Sequence, residues 1–337
     1  FVPMFLVASA LIIMPEQTES TARNLRSEKG IDNSVNSTEN ENAFRPAQID
    51  ANGVMFRSII DGSAHYFTPE KSIQIQNDIG ADIIFAFDEC TSPHEPLHYQ
   101  QEAMDRTHRW AKRCLEYHHA TDESTGRPHS ETNGTGQALF AVVQGGRFEQ
   151  LRKESAQLLS EMKIESTAAD GTKTVREFDG FGIGGSFAKE DMSTAVQWVN
   201  EILPEGKPRH LLGIGEPEDL FMAIERGCDT FDCVLPTRNG RTGTLFTSTG
   251  KINISNTKYR DDMSALDDDY RMPMLAQYTK AYVAHLFHAK EMLGRMIASA
   301  HNLYFLIELS KRIRAAIVDG TYEEFKEAFL KKYLSGK

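Results

Sequence analysis

The sequence predicts an α/β protein, a (β/α)8 barrel of the TIM type with an incomplete or divergent N-terminal part and a C-terminal helical elaboration. Three observations predict it. Short continuous apolar runs alternate with amphipathic helical stretches, the pattern of a parallel sheet buried on both faces. Each run ends in a polar side chain or in glycines, and a parallel barrel gathers its site at that end of its strands. An open doubly wound sheet also binds ligands at strand ends, but it concentrates its glycines in one GxGxxG turn. That fingerprint is absent here, and the glycines recur after several runs.

The elements follow in order. Residues 1–14 are strongly apolar, too short to span a bilayer, and read as a buried strand or helix. Residues 16–42 are rich in Ser, Asn, Thr and Glu and read as a mobile loop. Ordered structure is expected from residue 51, giving a divergent segment at 1–50 and a barrel domain at 51–337. Residues 53–60 and 65–67 make a hairpin around Asp61-Gly62. Thr68-Pro69-Glu70 starts a helix that Gly80 stops. Strands are then expected at 82–87, 138–143, 178–183 and 210–214, with helices at about 96–118, 148–162, 189–202 and 217–226. Residues 120–136 and 165–176 read as polar loops. A further strand carries Phe231-Asp-Cys-Val-Leu-Pro236 and breaks at the proline. A run without acids follows, holding Arg238, Arg241, Lys251, Lys258 and Arg260, and the chain is helical from about Gln277.

Composition sets limits. The 337 residues carry a formal net charge of −11, which argues against generalised nucleic-acid binding but leaves room for the local basic run. Cys90, Cys114, Cys228 and Cys233 fall in no paired or metal-type spacing, which fits a reducing cytoplasm rather than a disulfide scaffold.

The strand ends offer Asp88, Gln144, Gly184 and Gly185, Gly213 and Gly215, and Asp232. These types suit a purine. A carboxylate accepts from the ring N–H and exocyclic amine of guanine, and a Gln amide and a glycine N–H donate to its carbonyl. Glycines let a flat base approach the backbone. A second carboxylate is then free to act as a nucleophile. Read alone, Asp88 serves equally as a helix cap, and Gln144-Gly145-Gly146 as a tight turn. Their joint placement favours the functional reading.

The motifs resemble those of the tRNA-guanine transglycosylase family, bacterial type. The matching pieces are Phe87-Asp-Glu-Cys-Thr91, Val143-Gln-Gly-Gly146, Gly182-Ile-Gly-Gly185, Leu212-Gly-Ile-Gly215, Phe231-Asp-Cys-Val-Leu-Pro-Thr-Arg238, Ile252-Asn-Ile-Ser-Asn256 and His301-Asn-Leu-Tyr-Phe305. They run in family order from about Gly53 to the C-terminus. The resemblance implies a (β/α)8 barrel that exchanges the wobble guanine of certain tRNAs for a 7-deazaguanine, in queuosine biosynthesis. It implies Asp232 as the nucleophile that forms a covalent ribosyl-enzyme. Asp88, Gln144, Gly185, Leu212 and Gly213 would bind the base, and Arg238 and Arg241 would hold the anticodon loop. Cys90 in its Asp-Glu-Cys-Thr setting resembles the bacterial branch, which implies 7-aminomethyl-7-deazaguanine as the incoming base. Family members commonly form homodimers, and no membrane association is implied.

Three departures qualify the resemblance. The family's zinc-binding Cys-x-Cys-x-x-Cys falls where this chain has Tyr270, Met272 and Leu275, so that only His301 remains of the metal site. One His cannot hold a tetrahedral zinc. No zinc or other cofactor is expected, and packing of Met272, Met274 and Leu275 should replace the metal. The Asp-Ser-Gly-Gly stretch that carries the family's general acid/base has no match. Ser186 stands where bacterial members usually have Leu. These departures keep a second reading open, a non-catalytic tRNA-binding paralogue or partner subunit.

Overall fold

The computed structural model describes residues 47–336, apart from 59, 121–127, 132–135, 168–170 and 186–190. The N-terminal apolar run, the polar loop after it and Ser186 lie outside the described residues.

A three-stranded antiparallel sheet comes first: β1 (Ala47–Ile49), β2 (Val54–Arg57) and β3 (Ala64–Phe67). The expected hairpin is there, with Val54 opposite Phe67 and β1 added to its outer edge. Helix α1 (Pro69–Ile79) starts where Thr68 Oγ1 accepts from the Lys71 N–H at 3.2 Å. It ends at Gly80, whose φ of 76° is the left-handed turn that glycine supplies.

The core is a parallel sheet of β4 (Ile83–Phe85), β5 (Ala138–Val143), β8 (Gly180–Ile183), β9 (Arg209–Leu211) and β10 (Thr230–Phe231), hydrogen-bonded in that order. Neighbours in space are neighbours in chain order, with no reversal. A doubly wound sheet would reverse at a switch point. This order is that of a barrel wall, and the fold is the (β/α)8 class. The crossovers are α2 (Leu97–His119), α3 (Glu149–Glu161), α4 (Met192–Asn200) and α5 (Pro217–Glu225).

Side-chain alternation explains why the runs are apolar throughout. Ile84, Leu139, Ala141, Val143, Phe181 and Leu211 face outward onto Trp110, Leu115, Leu159 and Val196 of the helices. Phe85, Phe140 and Val142 face inward with half-buried Leu212. The inward rings need space opposite them. A Cβ on Gly182 would sit 2.8 Å from the Phe85 ring, so glycine there is required by close packing.

Two expectations fail. Residues 165–176 are not simply a loop but hold a hairpin, β6 (Ile164–Thr167) with β7 (Lys173–Arg176). Thr174 and Val175 supply β-branched residues, Ile164 packs on the core, and β7 is largely exposed. The strand expected up to Pro236 is also shorter, ending at Phe231. Helix α6 (Leu235–Arg241) begins around that proline, which sits in its first turn, where no N–H is missed.

A second hairpin, β11 (Thr244–Thr247) with β12 (Gly250–Asn253), precedes the helices α7 (Lys280–His288), α8 (Met292–Val318) and α9 (Tyr322–Leu334). Asn302 locks α8 to the segment after Asp232. Its Nδ2 donates to Pro236 O at 3.0 Å and Thr244 O at 2.9 Å, and its Oδ1 accepts from Phe246 N at 2.9 Å. Phe221, Phe246, Tyr270, Phe305, Phe329 and Tyr333 form the core of this part. Among the described residues no helix is long and apolar enough to cross a membrane.

Candidate functional site

The carboxylates and glycines singled out in the sequence all follow the C-terminal ends of the parallel strands. Asp88 follows β4, Gln144 follows β5, Gly184 and Gly185 follow β8, Leu212 and Gly213 follow β9, and Asp232 follows β10.

Asp88 and Gln144 are in direct contact: Gln144 Nε2 donates to Asp88 Oδ2 at 2.5 Å. Gln144 is buried, and its Oε1 accepts no hydrogen bond from the described residues. A buried unsatisfied acceptor costs stability unless a ligand or water satisfies it. Burial pushes the Asp88 carboxyl up to about 6, and the charge of Glu89 adds to this against the opposing bond from Gln144. Leu212 lies over the glycines, its Cδ1 3.3 Å from where a Cβ on Gly182 would stand and 3.5 Å from that of Gly184.

Asp232 is held by one oxygen. Its Oδ1 accepts from Gly213 N at 2.9 Å and from His210 Nε2 at 3.1 Å. A carboxylate only accepts, so the imidazole proton sits on Nε2, and Nδ1 accepts from the Thr230 hydroxyl at 2.8 Å. Gly213 can make its bond because its φ of 75° turns the N–H toward the strand end. The carboxylate is thereby fixed in rotation with Oδ2 clear of both bonds.

Three supports were missed in the sequence. Buried Glu89 pairs with Arg106 and accepts from the Tyr99 hydroxyl at 2.7 Å, which fixes the loop carrying Asp88. Buried Ser155 accepts from Gln144 N at 3.3 Å and bonds His108 Nε2 at 2.9 Å. Burial lowers His108 to about 4, so that ring is neutral. Arg152, fully buried in the first turn of α3, donates Nε to Gly146 O and Nη1 to Gly184 O, each at 2.8 Å. A local signal existed for Arg152 in its place one turn after Gly145-Gly146. Glu89 and Arg106 lie on different elements, and nothing local links them.

The basic run divides. Arg238 and Arg241 are exposed on α6, and Lys258 and Arg260 are exposed further on. Lys251 is instead engaged by Glu216 at 2.5 Å. A cavity of about 330 Å³ lies beside β10, lined mainly by apolar residues such as Ile214, Phe231, Leu306 and Ile313, with Asp232 and Cys233 also on its wall. Asp88, Gln144 and Gly185 do not line it, so the cavity borders the strand-end site at Asp232 rather than containing it.

The residues at the family's metal position do not fit a zinc ion. Tyr270 packs its buried ring on Phe305 at 4.3 Å, Met272 offers a thioether, and Leu275 has no donor atom. His301 is buried and its Nε2 donates to Phe246 O at 2.7 Å; burial also lowers its pKa, which keeps it neutral. The loop is held by Asp267, which accepts from Ser248 N at 2.7 Å and Tyr270 N at 2.7 Å. The expected packing is corrected in one respect. Leu275 is buried and Met272 half-buried, but Met274 is 75 % exposed, because the short turn at residues 273–275 directs it outward. Treatment with a strong chelator should leave the melting temperature unchanged, and elemental analysis should find well under one zinc per chain. A chelator-induced drop in melting temperature would contradict this.

Comparisons with known proteins place the chain in a family. The family model for queuine tRNA-ribosyltransferase matches residues 19–335. A queuine tRNA-ribosyltransferase of Caldanaerobacter subterraneus subsp. tengcongensis is 43% identical over 293 residues, covering 86% of this chain and 71% of the relative. The protein of that name from Fusobacterium nucleatum is 42% identical over 289 residues, 85% of this chain and 70% of the relative. That from Streptococcus sanguinis is 40% identical over 284 residues, 83% and 68% respectively. With strand-end carboxylates, glycine turns and match all pointing one way, this chain belongs to the queuine tRNA-ribosyltransferase family.

Proposed function

We propose that the chain is a tRNA-guanine transglycosylase of queuosine biosynthesis, which exchanges the wobble guanine of tRNA for 7-aminomethyl-7-deazaguanine through a covalent ribosyl-Asp232 intermediate. One observation carries the reading: the oriented Asp232 carboxylate stands at the same end of the sheet as the contacting pair Asp88 and Gln144. In the first displacement Asp232 Oδ2 attacks the anomeric carbon, the C1′–N9 bond breaks, and its electron pair leaves with guanine. In the second, the ring nitrogen of the incoming base displaces the carboxylate. Two inversions at one carbon retain configuration. Guanine takes up a proton and the incoming base gives one up. We assign that proton to no residue, because the family's acid/base segment has no match in the sequence.

Asp88, Gln144 and the Gly185 N–H read the base in this proposal, and Leu212 and Gly213 shape its pocket. Extruding the base costs a few kcal/mol, which contacts from Arg238 and Arg241 to the anticodon loop offset. The proposed domain is 51–337, with β1 from the preceding segment joined to its first hairpin, in a cytoplasmic enzyme that pairs as a homodimer. The test is incorporation of labelled guanine into tRNA bearing a wobble guanine, with 7-aminomethyl-7-deazaguanine and queuine as competitors. Tight tRNA binding with no exchange would favour the non-catalytic reading instead.

Replacing Arg238 and Arg241 together by Ala should weaken tRNA binding and flatten its salt dependence. Each lost phosphate contact reduces the slope of log K against log salt by about 0.7 for a single strand. Fluorescence anisotropy at several salt concentrations reads this. An unchanged slope would remove both residues from the tRNA surface.

A further inference from the structure

Arg152 is a charged side chain sealed in the interior, yet it lies directly behind the two turns that face the proposed base site. Its Nη1 donates to the Gly184 carbonyl and its Nε to the Gly146 carbonyl, both at 2.8 Å. Those carbonyls belong to the loops after β8 and β5, so one planar guanidinium spans the two loops that carry Gly185 and Gln144. The Gly184 carbonyl and the Gly185 N–H belong to the same peptide unit, which is trans. In a trans peptide the C=O and N–H point in opposite directions. A donor that grips the carbonyl therefore turns the N–H away from itself, toward the strand-end opening. Gly185 has a φ of 85°, and a Cβ there would meet Arg152 Nη2 and Gln144 Oε1, each at 2.8 Å. The packing thus puts the guanidinium and the Gln144 amide against the same glycine. Burial pulls the guanidinium down to about 10, which still leaves it charged at neutral pH.

We infer that Arg152 is a positioning residue for base recognition: it holds the Gly184–Gly185 peptide with its N–H presented to the carbonyl oxygen of the bound base, and fixes the spacing between that N–H and Gln144. The inference rests on the base-reading proposal above. Arg152 touches no substrate atom. Its charge polarises the peptide it grips, so the opposite N–H becomes a stronger donor. The effect is confined to bases that carry a carbonyl at that edge.

The test uses the full chain and two bases, guanine and 2-aminopurine, which lacks the carbonyl and with it the ring N–H. Arg152 grips the peptide on the side of the site that faces the carbonyl, so its substitution acts on that part of the preference. Calorimetric titration gives the ratio of their dissociation constants. The wild type should prefer guanine, and Arg152→Met should reduce that preference by about tenfold, the size of one charge-supported hydrogen bond. Binding of 2-aminopurine should stay within about twofold of wild type by the same reasoning. Preference retained in Arg152→Met overturns the inference, and so does equal loss for both bases, which would mark a purely structural role. If Arg152→Met does not fold, Arg152→Lys decides. An ammonium keeps the charge but cannot span both carbonyls, so the preference should fall at least about threefold. An unchanged preference there overturns the inference as well. A wild type that binds both bases alike overturns the base reading itself, and this inference with it.

Discussion

Asp232→Asn should leave the fold intact and abolish base exchange, with a loss of at least about 10⁴-fold, the scale seen when a covalent nucleophile is removed. Asparagine keeps an oxygen where Oδ1 accepts from Gly213 N and His210 Nε2. Both bonds persist, and the melting temperature should change little. The substitution replaces Oδ2 with an amide nitrogen, which has no free electron pair for the anomeric carbon. Wild type quenched in denaturant during turnover should yield a tRNA–protein adduct on a gel, and Asp232→Asn should yield none. An adduct that survives the substitution would move the nucleophile elsewhere. Exchange that survives without any adduct would replace the double displacement by direct attack of the incoming base.

Much of this site was legible in the sequence because each of its parts ends a strand. Periodicity located the five parallel runs, and a residue just past a run stands at the barrel mouth whatever the register in between. Asp88, Gln144, Gly185 and Asp232 were found that way. The supports behind them were not, because they join residues distant in sequence. His210 and Asp232 are brought together by the pairing of β9 with β10, in which Thr230 stands opposite His210. Glu89 meets Arg106 only because α2 folds back across the loop after β4. The hairpin at β6 and β7 escaped notice for a different reason: β7 is largely exposed, so no apolar alternation marks it. Helix α6 escaped because Pro236 was read as a break, whereas a proline in a first turn is also a start. The metal position shows the opposite case. Absence of the thiols was plain from the sequence, but the Asp267 turn and the Tyr270–Phe305 contact that organise the loop depend on α8 packing against it.

Asp88→Asn should severely weaken base binding and, at neutral pH, make the protein more stable. The two effects have one cause. The Asp88 carboxyl is pushed from 3.8 up to about 6, chiefly by burial. The folded state therefore holds the proton more tightly than the unfolded chain does. This contribution favours folding below about pH 4, weakens as pH rises toward about 6, and above that the ionised, half-buried carboxylate is a net cost. The rise from 3.8 to about 6 corresponds to roughly 3 kcal/mol at most. Asparagine has no charge to desolvate and can still bond Gln144, so it should raise the melting temperature by a few degrees at pH 7.5, on the scale of about 2 °C per kcal/mol for a chain of this size. The gain should fall to roughly half by pH 5 and approach zero only below about pH 4. In binding, the ionised carboxylate is the acceptor for the two N–H groups of the base, and each charge-assisted bond contributes about 1.5–3 kcal/mol. Guanine affinity in the wild type should therefore fall as pH drops through about 6, and Asp88→Asn should bind at least about 100-fold more weakly with no pH dependence in that range. Thermal melts and base titrations at pH 5, 6 and 7.5 separate these outcomes. A variant less stable than wild type at pH 7.5 would show that Asp88 supports the fold rather than burdening it. Stability gained together with recognition lost would identify the half-buried carboxylate as one kept in place for its ligand.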